Sequence, residues 1–284
     1  MKEVGRMKIG LVSDNTCNLT PEEIQKYDVR IVSLYINRGS MYSKAVDLDL
    51  DKYYEELGSA SELPTTSQPS PQDFIEVFEE ALKTYDVLIV PVLSGKLSGT
   101  NVSATIAARD FEQPIHVVDS QLIADGTGLL VKNLGDLIQK GTPIKELVEY
   151  ASNFHNKTRT FFSTDDLSYL QKGGRIGKAK ALMGNLLKMK PVIHIDEGEL
   201  KPVENVRGNK KLLESLVSHI LKEIPPENLR RARVQSIWRK EDTVTLEKML
   251  REEAPEAEIE SRIFEPIIAT HLGPQGIGII GEMK

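Results

Sequence analysis

Residues 87–104 read VLIVPVLSGKLSGTNVSA. The stretch 87–93 has no polar position, so both faces of the strand it predicts must be covered. That is the pattern of a parallel sheet with helices on either side. A loop of glycine and hydroxyl residues follows, and then a helix from about Asn101 to Asp110. In open α/β sheets ligands bind beyond the carboxyl ends of strands, which makes this loop the first place to look for a site. Gly95 and Gly99 permit tight turns and close backbone approach. Ser98 and Thr100 set hydroxyls beside a helix start, where unpaired N–H groups favour an anionic oxygen. The loop is not of the nucleotide-hydrolase kind, which needs a lysine straight after its last glycine, where this chain has Thr100. Nor is it G-x-G-x-x-G. Taken alone, a capped turn without a ligand explains it as well.

The rest of the first half repeats the strand–helix rhythm. Strands are predicted at 7–13, 29–36 and 115–120, a helix opens at Thr20-Pro21-Glu22-Glu23, another at Ser70-Pro71, and two more end near Phe154. The second half differs. A strand is expected at 159–164, helical patterns around 167–170 and 181–190, and a hairpin over 191–206 with its turn at Glu197-Gly198. A helix over 209–224, a strand at 233–238, a helix at 243–254 and two terminal strands complete it. The fold class is α/β in two domains. Residues 1–158 form a mainly parallel sheet flanked by helices, and residues 159–284 an α+β domain.

With 284 residues and a net charge of −6, the chain can bury a substantial core and lacks the basic balance expected of a nucleic-acid binder. No apolar stretch approaches the roughly twenty residues of a membrane span, and the start, MKEVGRMKIG, has no signal-peptide core. Residues 1–6 read as a dispensable extension. Cys17 is the only cysteine, so no internal disulfide forms and a cytoplasmic location is expected. The five histidines are scattered, and no metal site is predicted.

Three further segments carry candidate chemistry. PTTSQPSPQDF (64–74) places Thr65, Thr66 and Ser67 in a row before Gln68. Ser70, Pro71 and Asp73 account for a helix cap, but the three hydroxyls are left over. In QKGGRIGKAK (171–180), two glycines precede Arg175, a fork-shaped donor for anions. In ATHLGPQGIGIIG (269–281), His271 precedes a Gly-Pro turn and can hold or relay a proton near neutral pH. Cys17 lies near a helix start but has no histidine beside it in sequence. Asp47, Asp49 and Asp51 read as a solvated face. ALMG with LLKMK reads as ordinary core or the lining of an apolar cavity. The cluster Arg207, Lys210, Lys211 reads as a solvated helix start or a docking patch.

Together these segments resemble the DegV family, lipid-binding subunits of bacterial fatty-acid kinase systems. The resemblance rests on SDNTCNL, TTSQPSP, LSGTNVSA, VVDS, LSYLQKGGRIG, KP followed by the VRGNKK region, and THLGPQGIG, in this order over essentially the whole chain. It implies two α/β-type domains with a fatty acid such as palmitate or oleate in the cleft between them. It places the carboxylate contacts on Thr66 and Ser98, puts Ser67, Gly99, Arg175 and His271 near the head group, and assigns Arg207 to meeting a kinase subunit. It implies no catalytic residue, no metal and no cofactor beyond the bound acid. Departures occur at Asn101, where members often have tyrosine, at Gln275 and Gly276, and in DNTCNL.

The physics fits that division. Roughly fifteen methylenes at ~0.8 kcal/mol each offer about 12 kcal/mol of gross driving force, whereas one hydrogen bond to the head group adds only ~1–3 kcal/mol. Apolar walls should therefore set affinity, and uncharged donors should orient the carboxylate without locking it in an ion pair. The alternative is a stand-alone phosphotransferase or hydrolase that uses the Ser/Gly loops with His271 as base, although no G-x-S-x-G is present.

Overall fold

The computed structural model describes residues 7–183 and 189–284. The extension at 1–6 and the central part of the expected helical pattern at 181–190, residues 184–188, lie outside the described residues.

β1 (Ile9–Asp14) leads through a 3-10 turn at Asn15–Cys17 into α1 (Pro21–Tyr27), closed by the reciprocal cap of Thr20 and Glu23. The single strand expected over 29–36 is two. β2 (Val29–Val32) pairs parallel with β1, and β3 (Tyr35–Arg38) departs to pair antiparallel with β4 (Met41–Lys44) and β5 (Thr65–Ser67). The Asn15 side chain holds the break by accepting the Leu34 N–H at 2.7 Å. Between β4 and β5 lies α2 (Leu50–Ser59), capped by Asp49, so that acidic residue has a structural partner as well as solvent. Then come α3 (Pro71–Leu82), with Ser70 and Asp73 capping it as expected, β6 (Val87–Val92), α4 (Thr100–Ala108), β7 (Ile115–Asp119), α5 (Asp125–Lys140) and α6 (Ile144–Asn153).

The first sheet runs β2-β1-β6-β7, all parallel. Phe74, Phe78 and Ala104 of α3 and α4 pack on one face with Val12 and Val90. The other face joins a larger core that also takes in the second half.

That half contains β8 (Thr158–Ser163), α7 (Ser168–Lys172), β9 (Met189–Asp196), β10 (Glu199–Arg207), α8 (Asn209–Glu223), β11 (Leu229–Ser236), α9 (Lys240–Glu253), β12 (Glu258–Ile263), α10 (Pro266–Leu272) and β13 (Ile277–Met283). Its sheet runs β10-β9-β8-β13-β11-β12, antiparallel except between β11 and β12. Glu197 and Gly198 turn the β9–β10 hairpin with φ of 50° and 76°, the mirror-type turn that suits strand twist. Helices α8 and α9 cover one face. The opposite face supplies Phe162, Ile193 and Ile195 to the core shared with Leu11, Ile89 and Val118 of the first sheet. The sheets therefore meet across a continuous apolar layer, and the candidate site lies within it.

Candidate functional site

A narrow slot opens in that layer, with about 570 Å³ free of atoms when its open side is included. Leu34, Leu93, Leu97 and Ile123 line it from the first half. Phe162, Leu170, Leu200, Ile267, Ile268 and Leu272 line it from the second. The polar lining consists of Thr66, Gln68, Ser98, Arg175 and His271. Four widely separated segments of sequence thus converge on one place.

Strand geometry explains why one of three consecutive hydroxyls reaches the slot. Successive side chains on a strand point to opposite faces. On β5, Thr65 and Ser67 share the face where Asn37 Nδ2 approaches, at 3.5 Å from Thr65 Oγ1 and 3.0 Å from Ser67 Oγ. Thr66 faces the other way, and its hydroxyl lies 2.8 Å from His271 Nε2. Ser67, expected near the head group, is therefore on the far side of its strand from the slot lining. The reason is the period of two of β5, a strand that the sequence does not announce.

His271 sits in the last turn of α10, a helix absent from the sequence reading. Glu265 caps that helix by accepting the N–H groups of Ile267, at 2.8 Å, and Ile268, at 3.4 Å, and Asn15 Nδ2 donates to the same carboxylate. Burial pushes the Glu265 carboxyl up to about 8, against the pull of these hydrogen bonds. Tyr53 donates to Thr270 Oγ1 at 2.5 Å, because the Thr270 hydroxyl is itself donated to Pro266 O. Tyr54 donates to Phe264 O at 2.6 Å. Side chains of the first half thus fix the helix that carries His271. Burial, and then the positive charge of Arg175, lower the His271 pKa to about 4, so the imidazole is neutral at physiological pH.

Both glycines before Arg175 have uses that the sequence does not declare. Gly174 ends α7 in the left-handed region, with φ of 71°. Gly173 makes room for His271, since a Cβ there would lie 2.2 Å from Nδ1. Arg175 donates through Nε to Leu97 O at 3.0 Å and through Nη1 to Gly173 O at 2.6 Å. It thereby ties its turn to the loop after β6. Burial lowers the Arg175 pKa, but an arginine remains charged.

In the loop after β6, Ser98 Oγ lies 2.8 Å from Thr100 Oγ1 and accepts the Thr100 N–H at 3.3 Å. Gly99 lines the recess outside the slot rather than the slot itself. Its lack of a side chain lets Gln68 close in, because a Cβ would meet Gln68 Oε1 at 2.0 Å. Gln68 in turn donates to Ser103 Oγ at 3.0 Å. Arg207 is not part of this cluster and stands exposed at the end of β10. Cys17 is buried, and burial followed by the nearby Asp14 pushes its thiol pKa up, which leaves it inert.

Sequence reasoning missed Asp14 as a supporting residue. Its buried carboxyl accepts the N–H groups of Thr16, at 2.9 Å, and Leu93, at 2.8 Å, and so fixes the end of β6 where the slot begins. The signal was present in SDNTCNL as an acid closing an apolar strand.

The chemistry available is binding rather than bond-breaking. Thr66 and His271 form a hydroxyl–imidazole pair, but a histidine held near pKa 4 is a poor base at neutral pH. Among the described residues, no carboxylate hydrogen-bonds to its other nitrogen to orient it. Thr66 and Ser98 set uncharged hydroxyls on the polar side of the slot. Among the described residues, no group of three or more His, Cys, Asp or Glu side chains is placed to hold a metal ion, and no helix is long and apolar enough to cross a membrane.

Comparison with known proteins gives whole-chain matches. Residues 8–283 match the family model described as uncharacterised protein, DegV family. Protein DegV of Bacillus subtilis is 32% identical over 277 residues, covering 96% of this chain and 98% of that one. A fatty acid-binding protein of Thermotoga maritima is 30% identical, with 96% of both chains covered. A DegV family protein from Thermus thermophilus, solved as a study of fatty acid binding, superimposes with a TM-score of 0.90 at 30% identity, covering 98% of this chain and 100% of that one.

Proposed function

From the premise that this chain belongs to the DegV family, whose members bind fatty acids, we propose that it carries a long-chain fatty acid such as palmitate or oleate. In this reading it presents the carboxylate to a separate ATP-dependent kinase that makes the acyl phosphate. The observation that carries the reading is the slot, ten apolar side chains from both halves of the chain and a single polar cluster at Thr66, Gln68, Ser98, Arg175 and His271.

The acyl chain occupies the apolar length and supplies the affinity. Thr66 and Ser98 donate to the carboxylate, and neutral His271 holds the Thr66 hydroxyl in position. Arg175 supplies positive charge beside them, with two of its N–H groups already engaged by carbonyls. It therefore attracts the carboxylate without forming a closed bidentate pair. Gly99 lets Gln68 and the loop pack behind the head group, and exposed Arg207 serves as a contact for the kinase.

The test is the double variant Thr66→Ala/Ser98→Ala, titrated with palmitate and with oleate. Two lost hydrogen bonds to a charged group, at ~1–3 kcal/mol each, weaken binding about 30-fold or more while the circular dichroism and melting curve stay close to the parent's. Undiminished affinity in a folded double variant would defeat the proposed head-group assignment.

A further inference from the structure

The face of the second sheet that looks towards the first half is not apolar throughout. Along β11, Ala232 and Val234 belong to the core under α8 and α9, so Arg231, Arg233 and Gln235 stand on the opposite face. Phe162 of β8, a slot wall, stands on that face too, since its neighbour Phe161 belongs to the α8 core. The register joins the two. Phe162 is opposite Gly278 of β13, and Gly278 is opposite Gln235. Gln235 is therefore two strand spacings, about 10 Å, along the sheet from a slot wall, and the residue between them carries no side chain.

Gln235 is 1% exposed, and neither its Nε2 nor its Oε1 has a hydrogen-bond partner among the described residues. A second such group lies over the same strands. Asp125, 2% exposed, opens α5, and its Oδ2 likewise has no partner among the described residues. Its Oδ1 lies 3.8 Å from Nη1 of Arg262, the residue opposite Gln235 on β12. The next residue, Gly126, is so placed that a Cβ would lie 3.9 Å from Cγ2 of Ile280 on β13. The first turn of α5 thus sits over the strand that separates Gln235 from Phe162. Ile123, another slot wall, is only two residues before Asp125.

Buried amide and carboxyl groups are nearly always paired, and an unpaired one is costly. The surrounding ion pairs do not use these atoms. Arg262 is engaged by Glu23 and Glu260, and Arg233 by Glu258 and Glu260. These bridges tie the two halves together, and Gln235 adds nothing to them. What the unpaired atoms offer is specific. The amide has hydrogens to donate and an oxygen to accept. Burial, set against Arg262 and Arg233, raises the Asp125 carboxyl to about 7, so it can accept or donate. Together they match an alcohol, which has one hydrogen to give and lone pairs to fill. An unmodified acyl tail has neither. In the fatty-acid reading Thr66 and Ser98 already take the carboxylate, so an alcohol that meets Gln235 must be carried further along the chain.

We propose that Gln235 and Asp125 form a second polar subsite, which selects acyl chains bearing a hydroxyl group at or near the end remote from the carboxylate. The inference rests on the fatty-acid reading and deepens it from any long-chain acid to a class of oxygenated ones.

Calorimetric titration of the full chain with palmitate, ω-hydroxypalmitate and α-hydroxypalmitate tests this, on the parent and on Gln235→Leu. The parent should bind ω-hydroxypalmitate at least as tightly as palmitate. Gln235→Leu should bind palmitate within about twofold of the parent but ω-hydroxypalmitate about tenfold more weakly, because the hydroxyl is then buried without a partner. α-Hydroxypalmitate, whose hydroxyl lies beside the head group, should bind both proteins alike. Gln235→Leu replaces unpaired buried atoms by an apolar group of similar size, so the melting temperature should not fall. If leucine does not pack, Gln235→Met, unbranched and adaptable, repeats the comparison. An equal ratio of ω-hydroxypalmitate to palmitate affinity in parent and variant would mean that the unpaired atoms hold water only, and overturns this inference alone. A Gln235-dependent gain for α-hydroxypalmitate as large as that for the ω isomer overturns the placement of the subsite. Failure of the parent to bind any of the three acids overturns the fatty-acid reading and the inference with it.

Discussion

The apolar walls of the slot and its polar cluster are built from different material and by different means. Leu93, Ile123, Phe162 and Ile268 come from strands, loops and helices that would be buried in almost any packed α/β protein, and each is at most 9% exposed. Thr66, Arg175 and His271 sit on a three-residue strand, a glycine turn and a seven-residue helix. None of these short pieces has enough periodicity to be stable or recognisable alone. They are held by one another and by long-range contacts, Thr66 to His271, Arg175 to Leu97, Tyr53 to Thr270. In the fatty-acid reading, the walls supply binding energy through generic core residues, whereas the polar cluster supplies orientation through specific, mutually dependent ones.

The strongest way to break that comparison is to fill the slot. Ile268→Trp places a larger side chain among the wall residues of α10. If it displaces three or four methylenes at ~0.8 kcal/mol each, palmitate affinity falls by about 3 kcal/mol, roughly 100-fold. An acid several carbons shorter should lose much less, because it needs less of the slot. Equal loss for long and short acids, or no loss for either, would show that Ile268 does not border the acyl chain. The melting temperature of the unloaded variant separates this effect from overpacking, which has its own cost.

The same division governs what could be read from the sequence. The parallel sheet was legible because 87–93 is apolar throughout, and the helix caps at Thr20 and Ser70 were legible because capping is local. The hairpin turn at Glu197-Gly198 was legible for the same reason. The break in the strand at Ser33 and Leu34 was not, because Asn15, far back in the chain, holds it. β5 and α10 were missed because their stability lies in partners more than twenty residues away, and without β5 nothing in 64–68 tells the side of Thr66 from that of Ser67. The polar cluster was visible only as leftover hydroxyls, glycines and a histidine, brought together by family resemblance rather than by any period. The walls left no signature, since a leucine facing a slot and a leucine facing another leucine look alike in sequence.

A smaller effect probes the mutual dependence of the polar cluster. Gly173 has φ of −68°, which alanine adopts without strain, yet its Cβ would lie 2.2 Å from His271 Nδ1. Gly173→Ala should push the imidazole away and break its contact with Thr66. Palmitate affinity is expected to fall about tenfold, the net worth of about one hydrogen bond to a charged group. Because the damage passes through Thr66, the pair Gly173→Ala/Thr66→Ala should be little worse than either single change. Full additivity would mean that His271 and Thr66 act separately.

The mildest effect distinguishes the polar cluster from the walls by pH. His271 falls from an ordinary 6.5 to about 4 in the folded chain, mainly through burial. The unfolded chain therefore takes up this proton first, and its contribution to stability is lost as the pH drops from about 6.5 towards 4. Above that window it is constant. Relative to His271→Gln, the parent should lose on the order of 1 kcal/mol of urea-unfolding stability between pH 7 and pH 5, a difference in which the opposite contribution of the raised Glu265 carboxyl cancels. A bound carboxylate beside the ring favours the imidazolium and should raise its pKa. Loading with palmitate should therefore flatten the pH dependence in the parent and leave His271→Gln unaffected. If the slope were the same with and without palmitate, the acid group would not lie next to His271, and the orientation of the lipid in the slot would have to be reversed.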